Sequence, residues 1–136
     1  MLDRLNAEEQ RILLELLIFM AKTDGKVVDI EDEVLHQYAK LVDVDFDELD
    51  GNFGPEELIP QLENPASRVI VLQEMLRLAH IDGLFSDDEQ EAILTMAQYM
   101  GVPTDLLQRL DEWVLEGLKW VWEGEELLQE ANEVVR

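Results

Sequence analysis

Apolar residues first gather in the run ILLELLIFM at 12–20, which follows Asn6-Ala-Glu-Glu9. The latter fits a capping box, in which Asn6 accepts a backbone N–H bond and Glu9 returns one to the cap. A helix over 6–23 is therefore expected. Its apolar positions cover nearly the whole circumference, more than a surface helix with one stripe needs, so other helices must surround it. The next segment, 29–42, carries Val34, Leu35, Tyr38, Ala39, Leu41 and Val42 at offsets that draw a single stripe. A short helix is predicted over 55–62. Asn64-Pro65 then supplies a cap and a first-turn proline for a second nearly all-apolar helix reaching about Ile81. Ser86 and Glu89 form another capping-box pattern, opening an amphipathic helix to Met100. From Thr104 to Val121 residues such as Leu107, Leu110, Val114, Leu118 and Val121 make one stripe. Gly117 lies within it, weakening the helix while letting a neighbour approach closely. Gly124 is read as a break before a last helix over 125–135. The expectation is all-α: one domain, 1–136, a compact bundle of about seven helices.

One offset, 58 residues, aligns the two halves. It pairs Ala21 with Ala79, Asp24 with Asp82, Gly25 with Gly83, Glu31 with Glu89, Ala39 with Ala97 and Val44 with Val102. This predicts an internal duplication, with repeats near 8–50 and 66–108 and a C-terminal capping region at 104–135. The two all-apolar helices should pack centrally about a pseudo-two-fold axis, burying both Leu16 and Leu72.

Charge narrows the functions. The 136 residues hold 32 acidic and 10 basic side chains, a formal net charge of -22, which opposes binding to nucleic acid or to an anionic membrane face. Position 12–21 is too short to span a bilayer and contains Glu15, so no direct membrane insertion is expected. No basic flank or cleavage site marks a signal peptide, and the absence of Cys fits a reducing compartment, so a cytoplasmic location is expected.

The candidate chemistry is the repeated polar signature, TDGKVVDIEDE at 23–33 and IDGLFSDDEQE at 81–91. Each copy reads Asp-Gly, five residues, then Glu, which invites comparison with the calcium-binding EF-hand loop. The comparison fails at the first and third ligand positions, which would be Met20 and Lys22, then Leu78 and His80. A structural role needs less: glycine permits a tight turn, and carboxylates at a helix start satisfy exposed N–H groups. Such a helix start can still leave oxygens for a divalent cation, which gives Asp24, Glu31, Asp82 and Glu89 as candidate metal ligands.

With its preceding apolar helices ending in Met20-Ala21-Lys22-Thr23-Asp24-Gly25 and Leu78-Ala79-His80-Ile81-Asp82-Gly83, this pattern resembles the TerB-like tellurite-resistance family over most of residues 8–115. That family is also similar to the amino-terminal domain of a DnaJ-type co-chaperone. The resemblance implies a compact all-helical domain with internal pseudo-symmetry. It further implies a stress-response or interaction module with acidic surfaces suspected of metal binding, and no established enzymatic reaction.

Other chemistry has less footing. His36 and His80 stand at no metal-binding spacing. Asp87, Asp88, Glu89 and Glu91 allow a metal-dependent hydrolase as an alternative, although acid and base carboxylates should face each other across a cleft. The segment 43–50 alternates acids with Val44, Phe46 and Leu49, so it should dock as a turn with its charges in water. Asp43, Asp47 and Glu48 are then candidates for contact with a basic protein partner. Trp113, Trp120 and Trp122 mark either a capping helix or an aromatic interaction site, which also allows a purely structural subunit or a homodimer. The expected function is a non-enzymatic acidic helical module for protein interaction or divalent-metal response.

Overall fold

A computed structural model describes residues 2–23, 29–49, 53–81 and 87–135, without the side chains of 2, 21–23, 29–32 and 34. The described residues form six α-helices and three short 3-10 turns, with no strand. Helix α1 (Ala7–Thr23) starts at the expected box: Glu9 N–H donates to Asn6 Oδ1 at 2.8 Å, and Asn6 N–H donates to Glu9 Oε1 at 2.9 Å. Helix α2 spans Asp29–Leu41. Helix α3 is a single turn, Pro55–Leu58, continued by a 3-10 turn at Ile59–Gln61. The uniform helix predicted over 55–62 is thus divided, because Pro60 has no N–H to continue an α ladder. Helix α4 (Pro65–His80) begins where Asn64 Oδ1 accepts the Ala66 N–H at 3.0 Å. Helix α5 spans Asp87–Met100 and α6 spans Thr104–Val134.

Helices α1 and α4 touch each other, and both are buried on nearly every side. Leu16 and Leu72 are wholly inaccessible. Burying a side chain of this size contributes about 1.5–3 kcal/mol, so the many buried apolar residues of α1 and α4 together supply much of the driving force for folding. Helix α2 packs on α1, α5 packs on α4, and α6 lies across α4 and α5.

Two helix ends share one geometry. Val44 N–H reaches the Ala39 carbonyl at 2.9 Å and Asp43 N–H reaches that of Lys40 at 3.4 Å. Val102 reaches Ala97 at 2.9 Å and Gly101 reaches Gln98 at 3.1 Å. Asp43 (φ 57°) and Gly101 (φ 74°) take the left-handed conformation this double-bonded stop requires. The four residues of one stop align with those of the other at the same 58-residue offset.

The break expected at Gly124 is absent. Helix α6 runs 31 residues without interruption, about 46 Å at 1.5 Å per residue. Glycine costs only about 1 kcal/mol in a helix interior, and the Glu, Leu, Lys and Gln residues around it are strong helix formers. The predicted sixth and seventh helices are therefore one. Only Leu110 and Val114 of α6 are buried, and every residue from 119 to 130 is exposed. The first half completes the bundle, and the second half extends beyond it.

Candidate functional site

The expected cation site falls largely where the structure gives no description: Asp24 and Asp82, with Gly25 and Gly83, lie outside the described residues, as does the side chain of Glu31. Glu89 is described, in the first turn of α5, and it is buried. Asp87, Asp88 and Glu91 are exposed, so the acidic run divides between the inner and outer faces of the helix rather than converging. Among the described residues no group of three or more His, Asp or Glu side chains is placed to hold a metal ion.

The acidic segment after α2 folds into a 3-10 turn at Phe46–Glu48, opened by Asp45 accepting the Asp47 N–H at 3.0 Å. Val44 and Phe46 pack against the core and Leu49 is buried, while Asp43, Asp47 and Glu48 face water. His36 stacks on Phe46 with ring centroids 3.8 Å apart, which places this histidine in a structural contact.

Polar side chains also join elements that are distant in sequence. Tyr38 on α2 donates its hydroxyl to Glu74 Oε2 on α4, and Arg77 Nη1 stands 3.9 Å from the other carboxylate oxygen. Burial, then the adjacent Glu74 charge and the hydrogen bond to it, push the Tyr38 phenol well above its ordinary range. Arg68 donates through Nε to the Leu62 carbonyl at 2.6 Å and through Nη1 to that of Met100 at 2.9 Å, satisfying orphan carbonyls at two helix ends with one side chain. His80 Nε2 lies 2.6 Å from Asp111 Oδ1, tying α4 to α6.

The three tryptophans lie on α6, where a longer pattern becomes visible once the helix is known to be continuous. Leu106, Trp113, Trp120, Leu127 and Val134 recur every seven residues, as do Leu107, Val114, Val121, Leu128 and Val135 one position later. Leu110, Gly117, Gly124 and Ala131 form a third row between them. Seven residues fall only about 20° short of two full turns, so each row keeps one direction along the helix. The first members meet the bundle: Leu110 and Val114 are buried, and Leu106 and Leu107 pack against the core. The later members have nothing over them. Trp120 is 76% exposed, Leu127 65% and Leu128 69%. Trp122 lies about 160° around the helix from Gly124 at 100° per residue, and so falls outside this face.

Where α6 leaves the bundle, a groove of about 530 Å³ opens between Arg77, Trp113, Val114, Gly117, Leu118 and Val121. A Cβ added at Gly117 or at Gly124 would meet no atom within 4 Å. Apart from Arg77 in the groove wall, the charge along this part of α6 is one-sided: positions 112–133 hold seven glutamates and one basic residue, Lys119. Sequence reasoning placed Trp113 and Trp120 on this helix but ended the stripe at Val121. The seven-residue recurrence across Gly124 was the signal that extends it. No helix among the described residues is long and apolar enough to cross a membrane. Comparisons with protein-family models, with curated proteins and with solved structures gave no match.

Proposed function

We propose that this chain is a non-enzymatic protein-interaction module in which a helical bundle holds out the second half of α6 as a docking element. The observation that carries this reading is the continuity of one apolar face. The rows that seat α6 on the core persist in phase for about three further turns, where Trp120, Val121, Leu127 and Leu128 are exposed. A contiguous apolar face with a charged border marks an interaction site more often than a solvated one. The matched helix stops at Asp43 and Gly101 support an internal duplication beneath it. The TerB-like resemblance adds tellurite or general stress resistance as the setting, and the lack of cysteine agrees with a cytoplasmic one. A divalent-cation response through Asp24, Glu31, Asp82 and Glu89 is the second part of that resemblance, and it is independent of α6.

A photo-crosslinking amino acid placed at Trp120 or Leu127 in living cells tests the docking element, with exposed Leu41 on α2 as the control position. Capture of one protein species from the two α6 positions and none from Leu41 is expected. Equal capture from all three, or none from any, would refute it.

A further inference from the structure

We infer that the occupant of this face is an amphipathic helix of another protein, with aliphatic anchors at seven-residue spacing and Lys or Arg along its flanks, which approaches α6 closely at Gly117 and Gly124. The inference rests on the docking reading above and specifies the chemistry of the partner.

Periodicity identifies the occupant as a helix. An extended peptide would be read by alternate pockets along an edge, whereas rows repeating every seven residues from 106 to 135 match knobs set into holes by a second helix. The glycines indicate how closely it approaches. Neither Gly117 nor Gly124 has a positive φ, and neither has a neighbour in the chain that a methyl group would strike. The fold therefore uses neither the conformational freedom nor the small size of these residues, although each weakens the helix. Both lie in the same row as Leu110, which is buried against the bundle. With Ala131, they leave the distal row low enough for another backbone to lie against it. The groove at Gly117, with Trp113 and Val121 as walls, is large enough to take an anchoring side chain.

Charge selects the sign of the partner. By helical rotation of 100° per residue, Glu112, Glu116, Glu123 and Glu130 follow one edge of the face and Glu125 the other, while Glu126 and Glu133 fall on the opposite side. A second copy of this chain would bring the same glutamates together, adding repulsion to a net charge of -22. A helix flanked by Lys or Arg turns that repulsion into attraction, and its encounter rate should fall as salt screens the charges.

The test uses the full chain and two synthetic 28-residue helices with the same Leu/Ile seam, one flanked by Lys and one by Glu, titrated with fluorescence anisotropy as the readout. Sedimentation velocity of the chain alone runs in parallel. The Lys-flanked helix should bind at least tenfold more tightly than the Glu-flanked one and weaken at least tenfold between low and high salt. Val121→Glu with Leu128→Glu should abolish binding while leaving the melting of the bundle in place, and Gly117→Leu should weaken it by closing the groove. Leu41→Glu should change nothing. Equal binding of the two helices, no binding of either, or Lys-flanked binding indifferent to Val121→Glu with Leu128→Glu would each overturn the inference. A dimer of the chain alone, dissociated by Val121→Glu, would overturn the basic helix as partner but leave α6 as a docking element. Only the cellular crosslinking decides whether α6 docks a partner at all.

Discussion

Replacing Gly117 or Gly124 by alanine should stabilise α6, and the gain at Gly124 should stay within that helix. Each position is helical without a positive φ, and an added methyl group meets no atom within 4 Å, so no steric cost offsets the change. Alanine is better than glycine in a helix interior by about 0.8–1 kcal/mol, partly through the lower entropy of the unfolded chain. One such increment slows local opening by about fivefold, and two together by up to about thirtyfold. Residues 119–130 are all exposed and share no core with α1 or α4, so Gly124→Ala should move the thermal midpoint of the bundle by less than about 1 °C. Gly117 lies between Val114 and Leu118, which meet the core, so its increment should reach the bundle. Hydrogen exchange read by mass spectrometry, comparing peptides over 115–134 with peptides over 65–80, measures both quantities. With Gly124→Ala, slower exchange confined to the α6 peptides is expected. Faster exchange there, or a midpoint raised by several degrees by that change alone, would refute the reasoning, because α6 would then either require glycine or be coupled to the bundle along its length.

Other consequences follow from the polar connections and the turns. Tyr38→Phe removes a hydrogen bond to the buried Glu74 carboxylate and should cost about 1.5–3 kcal/mol in urea denaturation, and a loss below about 0.5 kcal/mol would show that Arg77 alone satisfies that carboxylate. The Tyr38 pKa lies above its unfolded value of 10.0, so its contribution is complete below pH 10 and is lost as pH rises past it. Stability should therefore fall between pH 9 and pH 11 by less in Tyr38→Phe than in the parent, and an equal fall in the two would contradict this. Asp43→Gly relieves a left-handed, non-glycine stop and should stabilise the chain by about 0.5–1 kcal/mol, seen as a higher urea midpoint. Titration with calcium, magnesium, manganese and zinc tests the cation reading, which expects a rise in melting temperature that is lost in Asp24→Asn with Asp82→Asn. No shift at millimolar metal would end that reading.

Much of the fold is written in local pattern. Asn6 and Glu9, Asn64 and Pro65, and the circumferential apolar content of α1 and α4 each predict a feature that the chain adopts, because caps and burial are decided by residues within a few turns. Long-range pairings carry no such signal. Tyr38 and Glu74 are 36 positions apart, His80 and Asp111 are 31, and nothing in either neighbourhood names the other partner. Glu74 sits within an apolar run, and its burial is explained by the hydroxyl arriving from α2 together with Arg77 one turn on. The candidate site was half legible. Trp113, Trp120 and Trp122 stand out as large apolar residues, but the propensity of Gly124 alone marks a terminator, whereas a helix forms on the sum over its length. With the helix cut there, Leu127, Leu128 and Val134 had no stripe to belong to. Asp43 as a left-handed stop was hidden for a related reason: glycine marks that role openly at Gly101, and aspartate serves it without announcing it.

A photo-crosslinker moved one residue at a time from 119 to 130 in living cells tests the docking face most directly. If α6 docks its partner through the face described, yield should oscillate with the helix, high at 120, 121, 124, 127 and 128 and low at 119, 123, 126 and 130. A yield that is flat along the segment, or that peaks on the glutamate-bearing side, would contradict it.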